Sequence, residues 1–349
     1  MSSKNTQLYA GIVIALIVVI AAGWYLRPAP EAPGDSGDAF KVGMVTGTGG
    51  LGDKSFNDIA FSAVQRAFNE LDVEYDYVEP TAISEYEGYQ RDFAKSGEYG
   101  LIICIGFDQA DSLSIVAAEY PEQNFALVDM VVDNENVASL TFRANEGSFL
   151  LGVVAGMKSE TGKVGFVGGM EIPLIVDFFV GYEAGAKWAN PDIEVLTPVY
   201  VGDWGDPAKA KELTVSLIEN GADMIFGSAG GSTLGALEAV DEQGVTGLGV
   251  DACMDYLNPS MYASMTKRVD IAVYEMIVSS IDDTFEGGFR SGGVVDGWVG
   301  MCRLPEEESY WEELFDFEHP SLPQDIADKV SEAKDGIVAG DIIVPNGYQ

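Results

Sequence analysis

The sequence predicts an α/β protein made of two doubly wound lobes of parallel strands, and three observations carry that prediction. Short continuous apolar runs alternate with stretches of helical spacing, and such runs suit parallel strands covered on both faces. The βα units come in two successive series in a chain of 349 residues, which is too long for one ordinary core. Three phrases, GGLGDKSFN at 49–57, GGMEIPLI at 168–175 and SMTKRVD at 264–270, sit where a strand-like run gives way to a helical one. Those junctions are where open α/β sheets hold small ligands.

In chain order, residues 8–26 form an uncharged run long enough to cross a bilayer as a helix, with Trp24 and Tyr25 at its outer end. Residues 1–27 therefore read as a membrane anchor, or as a cleaved signal if the small residues Ala21, Ala22 and Gly23 are cut. Residues 28–39 are a linker stiffened by Pro28, Pro30 and Pro33. The density of acid beyond the span places the body, 40–349, outside the cytoplasm at the cell membrane.

Within the body, 40–45, 73–78, 101–105, 125–128, 164–167, 196–201, 246–250 and 261–266 read as strands. Helical spacing covers 55–71, 85–95, 112–119, 146–159, 178–189, 207–220, 232–243 and 270–285. Asp206 and Pro207 make a clean helix start and Asn220 with Gly221 a clean stop. The first lobe is expected over about 40–150 plus 252–285, and the second over about 151–251 plus part of 286–349. The first change of lobe falls near 148–161. In the tail, 324–338 reads as a helix and 342–344 as a final strand.

Composition removes several classes of function. Lys and Arg number 19 against 56 Asp and Glu, a formal charge of −37, so nucleic acid and anionic lipid surfaces are repelled. An acidic, lysine-poor surface is what a halophilic protein carries in concentrated salt. Cys104, Cys253 and Cys302 are widely spaced without a CxxC and read as small buried hydrophobes. His319 is the only histidine, so there is no metal cluster and no Ser-His triad to build. The glycines at 47–52 are out of dinucleotide register, and no Walker lysine follows the GSAGGS turn at 227–232. The chain is expected to bind without catalysis, cofactor or metal.

The phrases KVGMVTG at 41–47, DKSFND at 53–58, GFVGGMEIPLI at 165–175, DPAK at 206–209, GADMIF at 221–226, GVD at 249–251 and SMTKRVD together resemble the basic membrane protein family. Its members are substrate-binding proteins of ABC transporters and include purine nucleoside receptors. The resemblance spans about 41–277 and implies a type I periplasmic-binding-protein fold, a nucleoside held between the lobes, and a membrane permease as partner. It departs at Gly47, where many relatives place an Asp.

A nucleoside offers a flat face, a polar edge and a vicinal diol, so its receptor needs aromatic plates, an edge reader and a carboxylate. The resemblance assigns Ser55, Phe56 and Asn57 of the DKSFN phrase to the site. Phe56 and Trp204 would sandwich the base, one from each lobe; the plainer readings are a helix-core residue for Phe56 and an exposed loop residue for Trp204. Asp251 and Lys267 match residues that similar receptors use on the sugar, or else form a rim ion pair between the lobes. In Gly106–Asp111 the resemblance points to Phe107 and to either Asp108 or Asp111, each of which could instead cap the next helix. Gly230 suits close approach of backbone to a neutral ligand. Two further readings stand beside the nucleoside: the same receptor for a sugar or other ring metabolite, and a nucleoside-processing enzyme.

Overall fold

The computed structural model describes residues 39–318 and 320–348; the expected anchor, all but the end of the linker, and His319 lie outside the described residues. Among the described residues no helix is long and apolar enough to cross a membrane.

The first half of the body alternates β1 (Lys41–Val45), α1 (Phe56–Leu71), β2 (Glu74–Val78), α2 (Tyr86–Ser96), β3 (Leu101–Ile105), α3 (Ala110–Glu119), β4 (Phe125–Val128) and β5 (Val137–Phe142). The next series is α4 (Ala144–Lys158), β6 (Lys163–Gly168), α5 (Pro173–Ala189), β7 (Glu194–Val195), β8 (Val199–Tyr200), α6 (Pro207–Glu219), β9 (Met224–Ser228), α7 (Thr233–Gln243), β10 (Thr246–Gly249) and β11 (Met261–Lys267). The chain closes with α8 (Val269–Ile281), β12 (Gly288–Gly292), β13 (Val299–Met301), α9 (Pro305–Phe315) and α10 (Gln324–Ala339).

Two sheets result. One has the order β12-β5-β4-β3-β1-β2 and is wholly parallel. The other has the order β13-β11-β10-β9-β6-β7, with β8 also on β6, and its only antiparallel pair among the described strands is β11 with β13. The strands β3, β4 and β9 are buried at every position, which matches their continuous apolar sequences.

Three crossings join the sheets, and they differ from the expected boundaries. The chain first changes sheet at Arg143, earlier than 148–161, because α4 packs on α5, β11 and β13. That packing needs glycine: a Cβ on Gly152 would stand 2.1 Å from the Tyr182 carbonyl oxygen. Residues 261–267 were expected in the first lobe, but β11 takes its ladder from β10 on one side and β13 on the other. The second crossing is therefore Arg268, after which α8 packs on α1 in the first half. The third is 293–298, between β12 and β13. All three lie side by side, since Arg143 N–H donates to the Gly292 carbonyl and Arg268 N–H to the Trp298 carbonyl, both at 2.8 Å.

The tail holds two more differences. Residues 305–315 form a helix that hydropathy alone did not reveal, with Pro305 at its first position and Glu306, Glu307 and Glu308 in its positive first turn. Its Trp311 is fully buried, and Tyr310 lies 4.0 Å from the Arg268 guanidinium. The expected strand at 342–344 does not form: Ile342 lies in a bend and its N–H donates to the Gly336 carbonyl at 3.0 Å, while the Asn145 side-chain nitrogen donates to the Val344 and Pro345 carbonyls at 3.3 and 3.0 Å.

Candidate functional site

The carboxyl ends of the two sheets face one cavity of about 650 Å³, its mouth included. It is lined from the first half by Gly47, Phe56, Asn57, Phe107, Asp108 and Asp129, and from the second by Phe178, Trp204, Gly230, Asp251 and Lys267.

The loop before α1 is built around Asp53. Its carboxylate accepts the backbone N–H groups of Ser55, Asn57 and Asp58 at 3.0, 2.8 and 3.2 Å, and the Asn57 side-chain nitrogen at 3.0 Å. It thus caps the positive end of the helix. Burial raises its pKa and the backbone N–H groups oppose that rise. Asn57 in turn accepts the Gly47 N–H at 2.9 Å, so this side chain, expected to contact ligand, also ties the end of β1 to the start of α1. Gly50 and Gly52 carry the turn at φ of 65° and 93°.

Ser55 does not line the cavity; it positions a residue that does. Its hydroxyl donates to Asp251 Oδ2 at 2.9 Å, a bond from one half of the body to the other. The other oxygen, Asp251 Oδ1, is buried without a hydrogen-bond partner in the structure. Burial pushes Asp251 up to about 6, against the pull of Lys267 and Ser55. Asp129, immediately after β4, is arranged alike: Oδ2 meets the Lys267 ammonium at 2.5 Å and Oδ1 is buried and unpartnered. Both acids adopt left-handed backbone, at φ of 75° for Asp129 and 64° for Asp251.

Lys267 is 2% exposed, and its ammonium stands 4.7 Å from the centre of the Phe56 ring, 5.1 Å from Phe142 and 5.8 Å from Phe178. It is a buried cation in an aromatic box rather than a rim charge. Phe56 packs beside the core as well as lining the cavity.

Phe107 and Trp204 meet across the cavity with ring centres 6.4 Å apart at 68°. The aromatic pair in contact between the halves is thus Phe107 with Trp204, whereas one face of Phe56 is given to Lys267. Trp204 lies on the backbone at Gly169, where an added Cβ would come within 2.2 Å of its ring. Gly230 also lies beside Trp204, but a Cβ added there would make only ordinary contact, 3.5 Å from the Trp204 carbonyl oxygen; its constraint is the left-handed backbone, at φ of 57°. Of the two acids left open, Asp108 lines the cavity and accepts the Tyr86 hydroxyl at 3.1 Å. Asp111 is exposed in the first turn of α3 and does not line the cavity. Burial raises the Asp108 pKa and the Tyr86 bond opposes it.

Asp129, Phe178 and Tyr86 are not among the residues that the sequence singles out for the site. Asp129 had a signal, an acid directly at the carboxyl end of an apolar strand, as Asp108 and Asp251 nearly are. Asp53, Asp108, Asp129 and Asp251 make four carboxylates in the lining against the one ammonium of Lys267. Such a wall accepts hydrogen bonds from hydroxyl and amine groups, stacks on flat rings, and repels phosphates.

Residues 40–334 match the family model Bmp, described as ABC transporter substrate-binding protein PnrA-like. An uncharacterized lipoprotein of Pyrococcus abyssi is 36% identical over 310 residues, covering 84% of this chain and 75% of that protein. Basic membrane protein A of Borreliella afzelii is 32% identical over 317 residues, covering 87% and 91%. Among solved structures, an ABC transporter system solute-binding protein from Aeropyrum pernix is similar with a TM-score of 0.77 at 30% identity, covering 88% of this chain and 94% of that one. Such neighbours share a periplasmic-binding-protein-like fold and bind solutes rather than transform them.

Proposed function

The chain belongs to the Bmp family of PnrA-like ABC transporter substrate-binding proteins, and from that premise we propose that it captures a nucleoside, with purine preferred, between its two halves and delivers it to a membrane permease. The observation that carries this reading is the pair of buried, unpartnered oxygens Asp129 Oδ1 and Asp251 Oδ1 in one aromatic-lined cavity. Buried carboxylate oxygens require donors, and the neighbouring hydroxyls of a ribose supply two. Phe56, Phe107 and Trp204 supply faces for a base, each stacked face contributing about 1–3 kcal/mol. Asp108, held by Tyr86, is the edge reader.

The net negative lining favours an uncharged nucleoside over a nucleotide. Contacts to Asp129 from one half and to Trp204 and Asp251 from the other exist together only when the cleft is shut, so ligand stabilises the closed form by its extra affinity for it. The permease reads that closed shape, and residues 8–26 hold the body at the outer face of the membrane.

Calorimetry with guanosine, inosine, adenosine and uridine tests the ligand class. Heat is expected with the purine ribonucleosides. Their 2′,3′-dideoxy analogues are expected to bind at least about tenfold more weakly, since charge-assisted bonds contribute about 1.5–3 kcal/mol each. No heat from any nucleoside overturns the proposal. A sugar or other ring metabolite is the second reading, favoured by the carboxylate-rich lining, and heat from such a compound alone would establish it.

A further inference from the structure

Two of the three cysteines are brought together beside β11, one in the loop that follows Asp251 and one just past β13. The loop after β10 runs over β11, where the Met254 N–H donates to Ser264 Oγ at 3.0 Å and that hydroxyl donates to Asp255 Oδ1 at 2.7 Å. Cys302, just beyond β13, gives its backbone N–H to the carbonyl of the same Ser264 at 3.1 Å. Cys253 and Cys302 are thereby set about one residue of β11, and both are fully buried. Their sulfurs and one Asp255 carboxylate oxygen lie within 4.8 Å of one another.

A cysteine–aspartate cluster first suggests a metal, but the carboxylate is committed elsewhere. Asp255 Oδ1 takes the Ser264 hydroxyl and Oδ2 takes the Arg303 guanidinium at 2.7 Å, in an ion pair whose side chains are 0% and 5% exposed. The two sulfurs have each other. Cys104 is on β3, in the other sheet.

We propose that Cys253 and Cys302 are oxidised to a disulfide that staples the loop carrying Asp251 to the strand ending the third crossing. The step is thiol–disulfide exchange. Each protein thiol gives up a proton and the pair gives up two electrons to form one S–S bond, while the disulfide of a small-molecule or enzymatic oxidant accepts both and becomes two thiols. Burial, a hydrogen bond with Cys253 and the nearby Asp255 charge all hold the Cys302 thiol well above its ordinary pKa, so exchange is slow once the body has closed. The bond forms during folding and then resists reductant. It closes a loop of about 50 residues, long enough to restrict the unfolded chain substantially.

The test is to unfold and reduce the full chain, refold it in a reduced and oxidised glutathione buffer, and alkylate it under denaturing, non-reducing conditions. One alkylated cysteine, Cys104, and a peptide linking Cys253 to Cys302 are expected, with three alkylated after reduction. In Cys302→Ser, both remaining cysteines are expected to alkylate. Three alkylated cysteines in the wild type refolded under oxidising conditions overturn the proposal, as does a cross-link through Cys104. Neither readout involves a ligand, so the outcome is independent of the nucleoside reading.

Discussion

Replacing Asp251 by asparagine separates stability from binding in a way that pH exposes. The residue is 7% exposed and burial lifts its pKa from 3.8 to about 6. A rise of about two pH units, at about 1.4 kcal/mol each, means that ionising Asp251 costs the folded body about 3 kcal/mol. The sign follows from proton binding. Between 3.8 and about 6 the folded state holds the proton that the unfolded state has released, so stability falls as pH rises through that window. The amide in Asp251→Asn cannot ionise and keeps an oxygen for the Ser55 hydroxyl. The variant is therefore expected to match the wild type in unfolding free energy near pH 3.5 and to exceed it by about 3 kcal/mol at pH 7.5, with the gap opening between those values. Urea unfolding at a series of pH values measures this. A gap that stays constant across the window refutes the burial argument. Nucleoside affinity should move the other way, because the amide cannot accept as a carboxylate does; in the wild type, affinity should weaken as pH falls below about 6.

Lys267→Met should lower stability at neutral pH by about 3–5 kcal/mol, since it strands Asp129 without its counter-charge. Asp129→Asn in the same chain should recover part of that loss; a loss of equal size with and without it argues against the pairing. Trp204→Ala should weaken nucleoside binding at least about tenfold, about 1.4 kcal/mol, with unchanged far-UV circular dichroism. Gly169→Ala should weaken binding too, by displacing the ring it now supports, and wild-type affinity in both would remove Trp204 from the site. Asp108→Asn should impair binding while Asp111→Asn leaves it intact; calorimetry giving equal losses would contradict the placement of these two acids.

Much of this architecture was legible because its signals are local. The Asp206 side chain does accept the Lys209 N–H at 2.9 Å, as the cap and the following proline implied, and continuous apolar runs did become buried parallel strands. The phrase DKSFN marks a loop that borders the cavity through Asp53, Phe56 and Asn57, although Ser55 supports Asp251 rather than facing it. What escaped was set by tertiary partners. The pattern of 261–267 says strand but not which sheet, and only pairing with β10 and β13 assigns it. Asp129 sits in the acid-rich run DMVVDNEN, where one more carboxylate carries no information until Lys267 arrives from 138 residues away. Asp108 and Asp111 could not be told apart, because a short turn at Phe107–Gln109 directs the first inward before α3 begins. The strand expected at 342–344 does not form, and the Gly336 carbonyl and the Asn145 side chain hold that segment instead.

The left-handed geometry at Asp129 and Asp251 limits what evolution can write there. Only glycine, asparagine and aspartate enter that region at little cost, and glycine would erase the side chain. The practical alphabet is then two letters of nearly equal size, one anionic and one neutral. A descendant receptor could exchange one for the other and alter the charge its pocket shows to incoming molecules while every atom of the main chain stays where it was. Retuning of this kind asks for a single substitution per position and no rebuilding of the scaffold.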